Sequence, residues 1–417
     1  MRILQITHQY PPHHIGGVEL LTRQLSRDLA QRGHEVHVLT RAPDDHGDNI
    51  ENGVTVHRLP ETASPSRRFL ATFGDAATLA ACNRILDDLR PDVIYLQHLM
   101  GYPIALVNAI RKRNIPYLVF LHDYWFACAN ANLITNFDQQ LCEGPHGNNC
   151  GRCAAARAGL QAGFTNRLGG AALTPLLRNR NAQLRPVLKH ARAVVAHSTF
   201  VAQWLRRQIP GQSVQVIEAG LDLSVCEPIR DELDEIAVQR EQRQRAPSVP
   251  DTARPLRCAY IGSLAQIKGV HVLIEAFNKL PQDYQLVVAG DPTAFPDYAA
   301  QLQRAATHPN IHFVGALDRT NVWKLLVHSD VVIVPSLVHE TFSLVAREAL
   351  VAGCHVIASN LGALSELINA NPERGTLISA NAPIALRNAL QQLQPIANPA
   401  PWRSQTDYVN DIEALMQ

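Results

Sequence analysis

The sequence predicts an α/β protein that consists of two doubly wound units in tandem. Short apolar strand patterns alternate with amphipathic helix patterns along nearly the whole chain, which is typical of parallel sheets covered by helices on both faces. The first series of strands reads ILQIT, EVHVLT, VTVHRL, DVIYLQ, YLVFL and AVVAH, and it ends at residue 197. The second series starts at residue 256 and reads LRCAYIG, QLVVAG, IHFVG, VVIVPS, HVIAS and GTLIS. A chain of 417 residues is long enough for two such units with a cleft between them.

The expected domain boundaries follow from the gap between the two series of strands. We expect residues 1–215 to form the first unit and residues 216–398 to form the second. Within the first unit, residues 17–32 predict a helix with one apolar face, which Gly33 ends. Residues 228–255 are rich in charge, Gln and Pro, and they predict an inserted linker with an exposed helix in its middle.

Composition limits the classes of function that the chain can have. Hydrophobic residues make up 46% of the chain, which is enough for proper cores, and the net charge of +1 gives no global drive towards nucleic acid. No apolar stretch approaches the length of a transmembrane helix, and the start MRILQITHQY reads as a strand and not as a signal peptide. We therefore expect a cytoplasmic protein, in which eight cysteines argue against a disulfide framework.

One segment departs from the balanced charge of the whole chain. Residues 144–217 contain no Asp or Glu. The segment could be an ordinary basic surface, but such a length without an acid favours a functional face that meets an anionic membrane or an anionic acceptor. Its basic residues are Arg152, Arg157, Arg167, Arg178, Arg180, Arg185, Lys189, Arg192, Arg206 and Arg207.

Two glutamates flank a predicted helix start in the second unit. Residues 330–335 read as a buried strand, and residues 342–352 read as a helix that Gly353 ends. Glu340 then lies in the loop and Glu348 about two turns further along, about 80° away if helical rotation holds over the eight positions. The two carboxylates would face nearly the same side at different depths, which suits a long ligand lying across the helix start.

The predicted helix start adds an anion-binding element between these two acids. The backbone N–H groups of Phe342, Ser343 and Leu344 would have no partner within the helix and could hold an anion. An elongated ligand with polar ends and an anionic middle is a nucleotide-diphosphate sugar. Two acids on one helix are also common on an ordinary solvated surface, so the spacing alone does not decide between these interpretations.

The run Glu340-x7-Glu348, followed by AG and then VIA, resembles the signature of the retaining glycosyltransferases of family 4. This resemblance covers nearly the whole chain. It implies the GT-B fold, in which two Rossmann-like doubly wound domains face each other across a cleft. It also implies an acceptor-binding first domain, a nucleotide-sugar-binding second domain, and a C-terminal helix within residues 399–417 that returns to the first domain.

The resemblance assigns donor contacts to the second domain. Gly262-Ser263 with Lys268-Gly269 is similar to the GRL…KG element of the family, although the family often has Arg where Ser263 stands. The implied roles are diphosphate binding for Lys268, sugar hydroxyls for Glu340 and ribose hydroxyls for Glu348. Ser343 stands where the family usually has Gly, and we expect the serine to act as a helix cap. The implied donor contacts are Gly16, Gly17, Gly262, Ser263, Lys268, Asp291, Leu317, Glu340, Phe342, Ser343, Leu344 and Glu348, of which Asp291 and Leu317 could equally be plain turn residues.

The first domain contributes a glycine pair and several histidines at strand ends. Gly16-Gly17 precedes the first helix and resembles the diphosphate-contacting loop of the family. His122 in VFLHDYW resembles the active-site histidine of the family and would line the reaction centre. We expect His8, His98 and Asp123 to lie on the acceptor side, where strands that end in histidine converge on a polar floor.

Four cysteines cluster in the loop 128–153, with a CxxC pair among them. Their number and type suit a tetrahedral structural zinc site that would fasten a long loop. Free thiols, a disulfide and an iron–sulfur cluster remain alternatives. The pattern HDYW-x2-C with further cysteines also resembles one subset of the family. The four are Cys128, Cys142, Cys150 and Cys153.

The resemblance implies a retaining glycosyltransferase that needs no catalytic cofactor. No DxD-like metal motif stands in a suitable place, so we expect a metal-independent reaction. The implied donor is a UDP- or GDP-sugar, and the implied acceptor is a glycan. The acid-free basic segment favours a lipid-linked glycan in surface polysaccharide synthesis, with contact on the inner face of the cell membrane. A sugar-nucleotide epimerase of the same fold and a non-catalytic nucleotide-sugar-binding protein remain alternatives. A hydrolase is disfavoured because two acids at one helix start do not straddle a glycosidic bond.

Overall fold

The computed structural model divides the chain into two compact units. The first unit comprises Met1–Gly220 and Ser404–Gln417, and the second comprises Leu221–Arg403. The predicted linker helix within residues 228–255 falls almost entirely outside the residues that the structure describes. Those residues are 1–44, 46–61, 64–161, 163–229, 255–393 and 400–416, together with Asp231 and Glu235.

The first unit is built on one eight-stranded sheet. Its strands are β1 (Arg2–Ile6), β2 (Glu35–Ala42), β3 (Gly47–Glu51), β4 (Val54–Pro60), β5 (Val93–Leu96), β6 (Tyr117–Leu121), β7 (Ala193–Ala196) and β8 (Gln215–Val216). They lie in the order β3-β4-β2-β1-β5-β6-β7-β8, and every neighbouring pair is parallel except β3 with β4. The six strands predicted for this unit are confirmed. The sequence prediction missed β3 because GDNIE has no apolar alternation and lies exposed at the sheet edge. It also missed β8, which has only two residues, both exposed.

Helices cover the first sheet. They are α1 (Gly17–Gln31), α2 (Pro65–Ala71), α3 (Ala76–Leu89), α4 (Ala105–Lys112), α5 (Asn149–Arg157), α6 (Gly163–Lys189) and α7 (Thr199–Gln208). The helix predicted over residues 17–32 is confirmed as α1. It ends before Gly33, which has a positive φ of 87° that glycine adopts readily. Among the described helices, none is both long enough and apolar enough to cross a lipid bilayer.

The second unit holds a six-stranded, all-parallel sheet. Its strands are β9 (Leu256–Ile261), β10 (Tyr284–Ala289), β11 (Ile311–Gly315), β12 (Val331–Val334), β13 (His355–Ser359) and β14 (Gly375–Ile378), in the order β11-β10-β9-β12-β13-β14. Its helices are α8 (Val270–Phe277), α9 (Pro296–Ala305), α10 (Arg319–His328), α11 (Leu344–Val351), α12 (Ala363–Asn369) and α13 (Pro383–Gln391). All six predicted strands are confirmed.

The final helix, α14 (Gln405–Ala414), belongs to the first unit. Tyr408 and Ile412 bury its apolar face there. Glu413 forms ion pairs with Arg32 at the end of α1 and with His34, whose Nε2 lies 2.7 Å from a Glu413 carboxylate oxygen. The end of the chain is thus fastened beside α1.

Strand order locates the candidate ligand sites in both units. In the first sheet, β1 lies between β2 and β5, and in the second sheet, β9 lies between β10 and β12. The winding of the chain reverses at these two positions. In open parallel sheets, ligands bind at the carboxyl ends of strands next to such a reversal. The loops after β1 and β5, and those after β9 and β12, are therefore the places where functional side chains are expected.

Candidate active site

A partly buried ion pair joins the loops that follow β9 and β12. Lys268 Nζ lies 2.7 Å from Glu340 Oε1, and the Ser336 hydroxyl donates a hydrogen bond to the same carboxylate oxygen. The Glu340 side chain is only 13% exposed, whereas the Lys268 side chain keeps 32% of its surface accessible. The pair therefore presents an ammonium group to a ligand while its carboxylate stays mostly covered.

Two glycines let the backbone approach closely enough to form this pair. Gly269 has φ of +69°, and a Cβ placed on it would come within 2.0 Å of the Pro335 carbonyl oxygen. Gly362 has φ of +60°, and its Cβ would lie 2.5 Å from the Glu340 carbonyl oxygen. A side chain at Gly269 would push the loop after β9 away from the loop after β12, and a side chain at Gly362 would push the loop after β13 away from Glu340. Both glycines are therefore required for the observed geometry.

Backbone hydrogen bonds fix the loop after β12 to its two neighbouring loops. The Leu337 N–H donates to the Ile267 carbonyl oxygen over 2.8 Å, which ties the Lys268 turn to the end of β12. The Ala363 N–H donates to the Glu340 carbonyl oxygen, also over 2.8 Å, which ties Glu340 to the start of α12. Lys268 and Glu340 are thus held on rigid backbone rather than on free loops.

The charges at this pair keep Glu340 ionised. Burial raises the pKa of the Glu340 carboxyl, but the Lys268 ammonium and the Ser336 hydroxyl outweigh it, so the pKa lies below its usual value. A carboxylate that accepts hydrogen bonds and stays charged can bind sugar hydroxyl groups.

Glu348 has a different partner, which the sequence prediction missed. The Glu348 side chain is 3% exposed and forms an ion pair with Arg319, whose second nitrogen lies 3.4 Å from the other carboxylate oxygen. Burial raises the pKa of Glu348 above its usual value, against the opposing effect of the Arg319 guanidinium. Arg319 is the first residue of α10, where the Asp318 side chain caps the helix through the Asn321 N–H. The capping residue Asp318 was the sequence signal that could have placed Arg319 at a helix start.

The helix between the two glutamates begins later than predicted. It spans Leu344–Val351 and not residues 342–352, so helical rotation does not continue back to Glu340, and the expected angle of about 80° does not apply. Ser343 precedes the helix with φ of +59° and ψ of 79°, and its side chain makes no capping hydrogen bond. The expectation that Ser343 caps the helix is wrong, because a capping serine needs extended backbone. The backbone keeps the left-handed conformation that glycine adopts without strain.

The remaining predicted donor contacts of the second unit lie at strand ends. Gly262 and the exposed Ser263 follow β9, and the Tyr260 hydroxyl donates to the Ser263 carbonyl oxygen over 2.7 Å. Asp291 accepts hydrogen bonds from the N–H and the hydroxyl of Thr293, an arrangement typical of an Asx turn. Leu317 packs half-buried against a hydrophobic core of this unit. Phe342 is buried, with the Arg347 guanidinium 4.1 Å above its ring.

In the first unit, Gly16 and Gly17 stand at the start of α1, but an acid already lies there. An ideal Cβ on Gly16 would be 2.6 Å from Glu19 Oε2. Burial raises the pKa of the Glu19 carboxyl, while hydrogen bonds from its own N–H and from the Gly16 N–H oppose that rise. The Glu19 carboxylate therefore lies against the predicted diphosphate loop. Its position three residues after the Gly16 cap is a capping-box signal that the sequence prediction missed.

His8, His98 and Asp123 come together at the strand ends, and their place on the acceptor side stays a prediction. The rings of His8 and His98 lie 4.3 Å apart, and His98 Nε2 lies 3.0 Å from Asp123 Oδ2. The Met100 N–H donates to His98 Nδ1, so the Nε2 of His98 carries the proton and donates to Asp123. Asp123 also accepts the Trp125 N–H over 2.8 Å, which orients its carboxylate.

His122 is anchored by a buried chain of side-chain hydrogen bonds that runs to α1. His122 Nε2 lies 2.7 Å from Gln97 Oε1, and Gln97 Nε2 donates to Gln5 Oε1 over the same distance. Gln5 Nε2 in turn donates to the Ser26 hydroxyl, which donates to the Thr22 carbonyl oxygen within α1. Because each donor in this chain is already assigned, Gln97 can only accept from His122, and the Nε2 of His122 must carry a proton. Burial, and then the neighbouring His197 and His98, lower the pKa of His122 well below its usual value, so the ring is neutral.

Comparison with known proteins then identifies the family. The model of the family described as Glycosyltransferase Family 4 matches residues 15–225, which is half of the chain. The model described as Glycosyl transferases group 1 matches residues 242–395. The chain belongs to glycosyltransferase family 4.

Individual proteins agree with this assignment. The chain is 28% identical to a glycogen synthase of Mycobacterium tuberculosis over 379 residues, which cover 88% of this chain and 80% of the relative. A sucrose-phosphate synthase from Thermosynechococcus elongatus superposes over 100% of this chain and 95% of its own, with a TM-score of 0.67 and 21% identity. Anabaena HepE in complex with UDP and glucose covers 99% of this chain and 98% of its own, with a TM-score of 0.63 and 17% identity. The two Rossmann-like units are those of the GT-B fold, and the chain is a glycosyltransferase.

The four clustered cysteines of this family 4 glycosyltransferase lie near one another. Burial, and then the neighbouring thiols of the cluster, raise the pKa of Cys150 to about 12. Cys142 donates to the Gly144 carbonyl oxygen and accepts from the Asn149 side chain, and Cys153 accepts the Asn136 N–H. Within the described ranges, no three or more His, Cys, Asp or Glu side chains are arranged to hold a metal ion. The thiols as placed do not form a metal site, and the zinc remains a prediction.

The structure also shows the burial of the four remaining cysteines and of one arginine of the basic segment. Cys82, Cys226, Cys258 and Cys354 are buried free thiols. Arg180 does not belong to the predicted basic face of the glycosyltransferase, because it is fully buried with its guanidinium 4.4 Å from the centre of the Trp125 ring and a hydrogen bond to the Trp125 carbonyl oxygen. Sequence alone cannot distinguish such an arginine from its exposed neighbours.

Proposed function

We propose that this protein is a retaining glycosyltransferase that transfers a sugar from a UDP- or GDP-sugar to a glycan or lipid-linked glycan. The observation that carries the proposal is the Lys268–Glu340 ion pair at the strand ends next to the winding reversal of the second unit. The likeness to a glycogen synthase and to a HepE structure that holds UDP and glucose supports a nucleotide-sugar donor. The proposed setting is surface polysaccharide synthesis in the cytoplasm, at the inner face of the membrane.

The second unit would bind the donor. The Lys268 ammonium would contact the diphosphate, and the Glu340 carboxylate would accept hydrogen bonds from the sugar hydroxyls. Glu348, held by Arg319, would accept hydrogen bonds from the ribose. The N–H groups at the start of α11, those of Ser343 and Leu344, would add main-chain contacts to the anion.

The chemistry would be a front-side displacement. The bond between the anomeric carbon and the diphosphate oxygen breaks, the acceptor oxygen bonds to that carbon on the same face, and the acceptor proton passes to the departing diphosphate. Lys268 would stabilise the charge that develops on the leaving group, which is the main catalytic contribution that this arrangement can supply. His122 would line the reaction centre as a neutral hydrogen-bonding group. This scheme needs no divalent ion, so turnover is expected to survive chelation.

One incubation series distinguishes this function from its alternatives. The protein is incubated with UDP-, GDP- and ADP-sugars, with and without a membrane lipid extract, while free nucleoside diphosphate and the anomeric configuration of the product are followed. Release that requires the extract, with retained configuration, supports the proposal. Conversion of the donor without release supports an epimerase, and binding without turnover supports a non-catalytic protein.

Lys268→Ala tests the observation on which the proposal depends. Loss of one group that stabilises developing charge costs about 100-fold or more in turnover. Lys279→Ala is the matched control, because Lys279 is an exposed lysine of the same unit beyond the end of α8. Equal turnover in the two variants would remove Lys268 from the site.

A further inference from the structure

Helix α6 presents one long face to solvent. It spans 27 residues, which corresponds to about 40 Å. Its opposite face is buried in the first unit through Asn166, Gly170, Thr174, Leu177, Arg180, Leu184, Val187 and Leu188. The exposed face carries no Asp or Glu, since α6 lies within the acid-free segment 144–217.

Four cations line up along this exposed face. Arg167, Arg178, Arg185 and Lys189 are all exposed. At about 100° per residue, their directions fall within about 40° of one another, and the row runs for about 33 Å. None of the four forms an ion pair with any residue that the structure describes. Among the residues that the structure describes, the row is therefore a stripe of positive charge without a paired acid.

Apolar side chains stand beside the start of this stripe. Phe164 is 74% exposed and Leu168 is 56% exposed, and the two lie one helical turn apart. Their directions are about 60° and 100° from that of Arg167, on the solvent side of the helix. Leu160, just ahead of α6, is also exposed. Exposure of a large aromatic ring next to a leucine is unfavourable in water, and such apolar surface indicates a binding site for a protein or a membrane.

We propose that this surface, the α6 face formed by Phe164, Arg167, Leu168, Arg178, Arg185 and Lys189, docks the protein on an anionic lipid bilayer. The four cations would lie at the lipid headgroups, and Phe164 and Leu168 would enter the boundary of the acyl chains. Basic residues beside exposed aromatic and aliphatic side chains are the composition that binds anionic membrane surfaces. A soluble anionic glycan would match the charge but would leave the two apolar side chains unexplained.

A contact through the α6 face would determine where the protein touches the membrane and how it is oriented on the membrane surface. The proposal deepens the lipid-linked setting proposed above, but it depends on surface chemistry alone. Its outcome is therefore independent of whether the donor chemistry is correct.

Vesicle sedimentation of the full chain tests this proposal. The protein should bind vesicles of phosphatidylcholine with about one-quarter phosphatidylglycerol more tightly than pure phosphatidylcholine, and raising the salt to about 0.5 M should weaken binding because headgroup charges are screened. The double variant R178E/R185E should weaken binding by at least about 25-fold, since each basic residue near an anionic surface contributes roughly fivefold. F164A/L168A should also weaken binding, in a way that salt does not reproduce.

The matched control is R84E/K112E, which makes the same charge change at exposed positions on α3 and α4. Circular dichroism and thermal melting establish that each variant is folded. Equal binding to both kinds of vesicle, or equal losses in R178E/R185E and in the control, would overturn the proposal. If R178E/R185E loses vesicle binding while F164A/L168A does not, and the native protein binds a soluble anionic polysaccharide, the α6 face would be assigned to a glycan instead.

Discussion

Gln97 joins His122 to Gln5 through two buried hydrogen bonds. Replacing Gln97 tests whether these hydrogen bonds set the protonation state of His122. Gln97→Leu removes the acceptor for the His122 Nε2–H and the donor for Gln5 Oε1. Gln97 is 1% exposed and Gln5 is 0% exposed, so water does not replace either partner. Each buried polar group left without a partner costs about 1–3 kcal/mol, so the variant should lose about 2–6 kcal/mol of unfolding free energy.

Gln97→Glu is the more informative change because it keeps an acceptor for His122. A carboxylate at this position would stabilise the charged imidazolium, and an opposite charge at hydrogen-bond distance shifts a pKa by about 1–3 units. The pKa of His122, which burial holds well below its usual value in the native protein, should therefore rise. The transferase should then lose turnover most strongly at acidic pH, where His122 becomes charged.

Histidine-labelled NMR measures this directly. In the native protein, the ring nitrogens of His122 should report a ring that is protonated on Nε2 and stays neutral where an ordinary histidine titrates, because burial lowers its pKa. In Gln97→Glu, the same signals should titrate at a higher pH. Gln203→Glu supplies the control, since it adds the same charge at an exposed position on α7. Identical His122 titration in all three proteins would refute the claim that Gln97 sets the protonation state of His122.

Three further predictions concern other parts of the molecule. Ser343→Gly should stabilise the protein by about 1 kcal/mol in urea unfolding, because the left-handed backbone there strains a serine; no gain would contradict that reading. His355 has its pKa lowered by burial to about 4, so the unfolded chain binds a proton between about pH 6.5 and pH 4 that the folded chain does not. Stability should fall as the pH drops through that window, and His355→Asn should reduce the slope of the unfolding free energy against pH. The zinc prediction requires about one equivalent of metal in protein purified without chelator, and its loss in C150S/C153S; native protein free of metal would exclude it.

The architecture was largely predictable because it follows from local patterns. Apolar runs such as VVIV and LRCAYI are long enough to span a sheet buried on both faces, and their alternation with helices leaves few topologies. The same regularity placed Lys268 and Glu340 at strand ends, because parallel strands bring their carboxyl ends to one edge of a sheet. The exposed strand β3 was missed because its residues carry no such pattern.

The partners of the site residues were not predictable in the same way. Arg319 is 29 residues from Glu348 in the chain, and Gln97 is 25 residues from His122. No local spacing links such pairs, since their contacts arise only when neighbouring strands and helices pack. The same reason explains why Arg180 was counted with the exposed arginines.

By itself, the sequence determined that two largely parallel sheets form, which loops carry the candidate site residues, and to which family the resemblance points. These properties depend on periodicity and on residue types at short range, which side-chain burial enforces in any fold. Only the tertiary structure decided which cation each glutamate meets, that Ser343 keeps a glycine conformation, and which arginines form the α6 face. Those outcomes depend on distances between residues far apart in the chain, which are set when the sheets and helices pack together.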